Sequence, residues 1–480
     1  MAQNVLFIMS DEHQQKAAGC YGHPFVRTPA IDALATGGTR FTNAYTNSPI
    51  CVPARASFAT GRAVHEIGNW DNAHPYDGRV KGWGHTLQQR GMKSLSIGKL
   101  HYRNETDPTG FDEQIVPLHV VDGVGSVSAS VKQPLGPPIK TSKLAANIGP
   151  GDSGYIRYDR SITEETCRWL KEEAPKHRDR PWVLFCSLVC PHFPLIAPPD
   201  FYAMYPHDML ETPKGSSLDY ELHPWIEKFR QVQCHDEFFT DETRKIAIAS
   251  YYALCSFMDS NVQKVLAALD ASGARDDTLV VYTADHGENL ATRRLWGKSN
   301  MYEEAAAIPL ILSGPDVLAG KVVNTPVTLA EGANTILATL GLEEAANPAF
   351  QCWRRTANAP DDPARVAFSE YHATGADSAA FMIRKGAHKY IHYVGYTPEL
   401  FDLDADPEEE TNLAADPSHA ATLTDLQAEL TRRIDPDRVN GDAQDSQAAL
   451  VEQHGGREAV LNMGSFQGTP APGEKAEYVQ

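Results

Sequence analysis

Four short apolar runs in this chain each stop on acid, histidine or lysine, and that repeated ending restricts the folds open to it. Residues 5–9 run into Ser10, Asp11, Glu12 and His13, and residues 94–98 into Lys99, Leu100 and His101. Residues 183–189 lead to Cys190, Pro191 and His192, and residues 279–283 to Ala284, Asp285, His286 and Gly287. The stretches between them are patterned as helices, and strands alternating with helices predict a parallel sheet flanked by helices. Open sheets of that kind bind ligands beyond the carboxyl ends of their strands. One polar strand end is an ordinary turn; four together are hard to explain that way. The expected fold class is α/β.

Chemistry sorts the residues at those ends. Asp11, Glu12, Asp285 and His286 offer oxygen and imidazole donors suited to one hard or borderline divalent cation. Lys99, His101, His192 and Lys298 are cationic or proton-carrying groups that suit a tetrahedral oxyanion. A third element is the run 48–57, SPICVPARAS, which holds Cys51 and Arg55. They stand at the predicted N-terminus of a helix starting near Pro53, where proline is favoured and the free amides attract an anion. Plainer readings exist: Cys51 as a buried packing thiol, Lys99 and Lys298 as solvated charges, His192 as a core histidine or loop cap. The phosphate loop of a thiolate phosphatase needs five residues between Cys and Arg, and only three separate Cys51 from Arg55.

Bulk properties narrow the partners. The chain has 480 residues and a formal charge of -19, which argues against nucleic acid and anionic membranes. An acidic protein acting on an anionic substrate needs a local cationic pocket, which the lysines and histidines above would provide. No apolar run approaches the span of a membrane helix. Residues 4–9 read as a strand beginning almost at the first residue, without a basic region or a small-residue cleavage site. Eight scattered cysteines make no disulfide framework, so a cytoplasmic, reducing setting is expected.

The joint pattern resembles the type I sulfatases of the alkaline-phosphatase-like superfamily. Its pieces are Asp11 with Glu12, Cys51-x-Pro-x-Arg55, Gly98-Lys99-x-His101, Pro191-His192-x-Pro194, Asp285-His286-Gly287 and Gly297-Lys298. A later run, Leu400-Phe401-Asp402-Leu403 through Asn412-Leu413, looks like the family's late signature. The resemblance implies that a formylglycine-generating enzyme converts Cys51 to formylglycine, an aldehyde that hydrates to a geminal diol. It also implies one divalent metal on Asp11, Glu12, Cys51, Asp285 and His286. One hydroxyl of the diol then attacks sulfur in line. Arg55 orients the diol, Lys99 and Lys298 neutralise the sulfuryl oxygens, and His192 protonates or polarises the leaving oxygen. His101 takes the second hydroxyl's proton, which expels sulfate.

The chain departs from the family pattern at several points. Ala54 stands before Arg55 where Ser or Gly is usual. Glu12 replaces a common Asp and is one methylene longer. His286 replaces a common Asn, as in the choline-sulfatase-like and phosphonate-monoester-hydrolase-like branches. Imidazole tolerates Mn2+ or Zn2+ better than Ca2+; the expectation is Ca2+ or Mn2+, ahead of Mg2+ or Zn2+. Trp70, Asn72 and His74 lie after the Cys51 helix and are candidates to read the alcohol part of the substrate, or else loop residues tied to their own backbone.

Organisation follows the same logic. Residues 1–370 are expected to form the catalytic domain, with loops at 135–154 and 201–242 over the site. Residues 371–480 are expected to form a small C-terminal α+β subdomain. In it, residues 380–384, 389–392 and 399–403 form an antiparallel sheet, 416–434 a helix, and the tail from Val460 runs extended. Related branches use such tails in subunit contacts, so a homo-oligomer is expected. The reading is a sulfate monoester hydrolase. Its rivals are a phosphonate monoester or phosphodiester hydrolase on the same scaffold, a sulfated-ligand binding pseudoenzyme, and a thiol enzyme using unmodified Cys51.

Overall fold

The first apolar run forms strand β1 (Asn4–Asp11), which lies inside an eight-stranded sheet in the computed structural model, where residues 3–138, 142–466 and 468–478 are described. The other strands are β2 (Thr39–Phe41), β3 (Lys93–Lys99), β4 (Glu113–Leu118), β5 (Trp182–Pro191), β6 (Thr278–Ala284), β7 (Leu310–Ser313) and β8 (Lys321–Val323). Their order across the sheet is β8-β2-β7-β6-β1-β5-β3-β4. β7 runs antiparallel to both neighbours, and the remaining pairs are parallel. The four strands with polar ends are thus β6, β1, β5 and β3, consecutive and parallel. Their carboxyl ends lie at one edge: Ser10 pairs with Ala284, and Asp11 with Pro191.

Both faces of the sheet are covered, which is why these strands read as continuous apolar runs. Alternate residues of β1 face opposite ways. Leu6 and Ile8 join the core beneath helices α2 (Gly154–Glu172) and α3 (Asp241–Ser272). Val5, Phe7 and Met9 join the core on the other face with Phe58 of helix α1 (Cys51–Thr60). α1 begins at Cys51, two residues earlier than the sequence suggests, and Pro53 occupies its first turn, where a missing N–H costs nothing.

α2 also supports the site from below. Asp159 is fully buried and accepts hydrogen bonds from the amides of Val189 (2.7 Å) and Cys190 (2.9 Å), just before His192. Burial pushes its carboxyl up to about 7 despite those two donors. Asp159→Ala leaves both amides without a partner and is expected to cost about 2–4 kcal/mol. Urea unfolding checks this; a change under about 0.5 kcal/mol would reject the role.

The smaller sheet is antiparallel, in the order β9 (Val366–Tyr371), β10 (Ala380–Lys385), β11 (His388–Tyr393), β12 (Glu399–Asp402). β9 was not among the expected strands. It is tied to the short helix Val64–Ile67 that follows α1, where Glu370 accepts from the backbone and ring of His65. Lys389 of β11 lies 2.8 Å from both Glu303 and Glu409, so the late signature run latches the two sheets together. After a 3-10 turn come helices α4 (Ala420–Arg433), α5 (Pro436–Gln453) and α6 (Gly456–Met463). α5 is mostly polar and buries one stripe, Val439, Ala443, Gln447 and Val451. Helix therefore extends past Val460, and the irregular tail starts at Gly464. Residues 139–141 of the expected loop 135–154, and 467 and 479–480 of the tail, lie outside the described residues. Among the described residues, no helix is long and apolar enough to cross a membrane.

Candidate active site

Arg55 organises the centre. Its Nε donates to Asp285 Oδ2 (2.8 Å) and its Nη2 to Asp11 Oδ2 (2.9 Å), while Nη1 donates to the Lys99 carbonyl (2.7 Å) and Ser187 Oγ (2.9 Å). One guanidinium therefore spans the ends of four adjacent strands. Lys99 Nζ lies 2.6 Å from Asp11 Oδ2. Burial alone would raise the Asp11 carboxyl, but Lys99 and then Arg55 hold it well below the usual carboxylate range.

Cys51 sits at the first turn of α1 with its Sγ 3.2 Å from His286 Nε2 and 3.7 Å from Asp11 Oδ1. Burial, then the Asp11 carboxylate, push the thiol up to about 12 against the pull of Lys298 and Lys99. His286 Nδ1 is 3.1 Å from the Gly287 carbonyl, which directs the Nε2 lone pair inward. One donor atom each from Asp11, Cys51, Asp285 and His286 falls within a 4.8 Å cluster. The carboxylates of Asp11 and Asp285 here face Arg55 and Lys99, and Glu12 faces Lys298. A divalent cation fits this donor set, and Glu12 Oε1 is buried without a partner.

Glu12 itself turns to one side. Its Oε2 meets Lys298 Nζ (2.7 Å) and His192 Nε2 (3.1 Å), and it groups with Asp11 and His192, not with Cys51. Burial raises its carboxyl well above the usual range in spite of Lys298. Lys298 Nζ also lies 2.8 Å from His192 Nε2, and His192 Nδ1 lies 2.7 Å from the Phe193 carbonyl. Those partners assign the His192 proton to Nδ1. Burial, then Lys298, hold this ring well below its ordinary pKa, so it is neutral. Glu12 (φ 68°), His101 (φ 59°) and Ser299 (φ 83°) all occupy the left-handed region, a strain that clusters at functional sites.

A cavity of about 240 Å³ opens above this centre, lined by Cys51, Lys99, His101, His192 and Lys298. The two expected loops reach it through Leu135 and Pro138 and through Phe229 and His235. Asn72 also lines it, and its Oδ1 accepts from the Val52 amide (3.1 Å) in the first turn of α1. Trp70 and His74 do not line it. Trp70 packs edge-on against His372, and His74 pairs with Asp71 and Ser446. Sequence reasoning missed three residues of the site: Tyr155, Ser187 and Thr469. Ser187 lies three residues before Cys190 in an otherwise apolar strand, a signal that was available. Tyr155 and Thr469 gave none.

Fold and site together define an alkaline-phosphatase-like hydrolase with an acid, imidazole and cysteine centre. The chain belongs to the sulfatase family, whose model matches residues 3–342. It is a sulfuric ester hydrolase. A second model, N-sulphoglucosamine sulphohydrolase C-terminal, matches residues 292–435. Choline-sulfatase of Rhizobium meliloti (strain 1021) is 28% identical over 468 residues, 93% of this chain and 89% of that one. Arylsulfatase K of Homo sapiens is 28% identical over 443 residues, covering 86% and 79%. Phosphonate monoester hydrolase of Agrobacterium radiobacter shares the fold with a TM-score of 0.71 at 21% identity, covering 90% of this chain and 95% of that one. A protein solved with its substrate D-glucosamine-2-N,6-O-disulfate also has a TM-score of 0.71 at 21% identity, covering 93% and 99%.

Proposed function

We propose that this sulfatase cleaves sulfate monoesters through formylglycine made from Cys51 by a formylglycine-generating enzyme. Asp11, Asp285, His286 and the modified residue 51 hold one divalent cation, Ca2+ or Mn2+, with Glu12 at its edge. The observation that carries this reading is the convergence of Cys51, from the first turn of α1, with Asp11, Asp285 and His286 at the ends of the neighbouring strands β1 and β6. The cation, when bound, neutralises charge and acidifies the attacking hydroxyl.

The chain's own residues do the rest. Arg55 fixes Asp11 and Asp285 relative to residue 51. Lys99 and Lys298 balance the charge that develops on the sulfuryl oxygens. The sulfur–oxygen bond to the alcohol breaks as the bond to residue 51 forms. Lys298 donates a hydrogen bond to the neutral His192, and this pair is placed to polarise the departing oxygen. An unmodified Cys51 suits the thiol rival poorly, because a thiol held near 12 gives little thiolate. Beyond the sulfate end, the described lining residues carry no fixed charge, which favours an uncharged or weakly polar alcohol over a polyanionic chain. Residues 1–370 as catalytic domain, a cytoplasmic setting and a homo-oligomer belong to this reading. The scattered cysteines support the setting, and the exposed Met463 and Tyr478 support the oligomer.

Peptide mass across residues 41–62 tests the first step: an aldehyde at residue 51 is expected, and an unconverted thiol in active enzyme would reject it. Substrate preference separates the phosphonate rival. kcat/KM for aryl or alkyl sulfates is expected to exceed that for phosphonate monoesters and phosphodiesters by about tenfold or more, ~1.4 kcal/mol. Lys99 and His101 touch the transferred group and favour sulfate, whereas His286 only tunes the metal. A preference for phosphonates or diesters promotes the rival.

A further inference from the structure

The tail beyond α6 does not leave the molecule. It returns across the cavity, and Thr469 Oγ1 comes within 2.8 Å of His101 Nε2. Both side chains are buried, with 7% and 5% of their surface exposed. The other ring nitrogen, His101 Nδ1, is buried with no partner in a ring that lines the same cavity as Cys51. We propose that Thr469 is a positioning residue for His101: its hydroxyl accepts a hydrogen bond from Nε2–H and leaves the Nδ1 lone pair as the base for sulfate release. The opposite tautomer would bury an N–H at Nδ1 without an acceptor, which is costly.

The tail is built to hold this contact. Tyr155 donates its hydroxyl proton to the Thr469 carbonyl. Ala471 packs into the core beneath α2, and Glu474 pairs with Arg157 at 3.0 Å. At Gly468 a side chain would begin 3.3 Å from the Tyr155 hydroxyl and 3.9 Å from His192 Cε1, so the backbone lies close against Tyr155. Pro470 and Pro472 stiffen the segment and lower the entropy lost on ordering it.

This inference rests on the formylglycine reading, in which His101 acts last. In that step His101 Nδ1 takes the proton from the free hydroxyl of the sulfated diol. The C=O bond re-forms, the carbon–oxygen bond to sulfate breaks, and sulfate departs with that electron pair. A misplaced His101 therefore slows release and lets the covalent sulfate hemiester on residue 51 accumulate.

The test uses full-length enzyme co-expressed with a formylglycine-generating enzyme and an aryl sulfate as substrate. Thr469→Val is expected to lower kcat by about tenfold or more with KM changed less than about threefold. Acid-quenched intact mass should show sulfated enzyme at steady state. Thr469→Ser should recover kcat to within about threefold of the parent. Tyr155→Phe, which only loosens the tail, should shift the same two readouts less, and it serves if Thr469→Val does not fold. His101→Ala is the control. If it accumulates sulfated enzyme and neither Thr469→Val nor Tyr155→Phe does, the role of Thr469 is wrong. If His101→Ala itself accumulates none, the reading of His101 fails and this inference falls with it.

Discussion

Cys51→Ala is expected to reduce sulfate ester hydrolysis by about 10⁴-fold or more while the protein stays folded. No other side chain in the centre can become the aldehyde, and none is placed to replace it. The fold should survive because alanine is a better helix former than cysteine, and the lost sulfur opens a small void costing about 1 kcal/mol. Neither Arg55, Lys99 nor Asp285 depends on the sulfur for its partners, since their ion pairs and hydrogen bonds run to one another and to Asp11. Steady-state rates on an aryl sulfate, beside a thermal melt, read both effects. Near-full activity in a well-folded Cys51→Ala protein removes the core of the reading.

Asp11→Asn and Asp285→Asn are expected to strip the cation, from about one ion per chain to a small fraction, and to cost about 10³-fold in kcat/KM. The amide keeps the shape of the carboxylate but offers a weaker, neutral ligand. Asp11 has a second duty, since it faces Lys99 and Arg55 at 2.6 and 2.9 Å. Neutralising it leaves two buried cations short of a partner, so a stability loss of about 3–5 kcal/mol accompanies the metal loss. The two effects separate in a melt with added Ca2+ or Mn2+. The parent should gain stability with cation by mass action, and the variants should not. Elemental analysis supplies a readout independent of activity. A full ion in both variants would overturn the assignment of these ligands.

Sequence by itself determined the ingredients and their chemistry. Apolar runs that end in Asp11-Glu12, Lys99-x-His101, His192 and Asp285-His286 are local signals, because a strand buried on both faces writes itself as a continuous apolar stretch and its end as a change of residue type. Cys51-x-Pro-x-Arg55 is legible for the same reason, being confined to one helical turn. Only the tertiary structure decided that the four strands are neighbours, in the order β6-β1-β5-β3, so that one guanidinium can touch all four ends. Strand order is set by pairings between residues far apart in the chain, Lys93 with Trp182 and Val5 with Leu279 among them, which leave no mark on either segment alone. It also decided between side chains of equal promise. Asn72 caps α1 and lines the cavity while Trp70 and His74 turn to the C-terminal helices and sheet. Glu12, the residue next to Asp11, faces Lys298 and His192 because its left-handed backbone swings it off the line of β1. Thr469 was invisible for the strongest form of that reason: a threonine among prolines near the chain end means nothing until the tail is seen lying against His101.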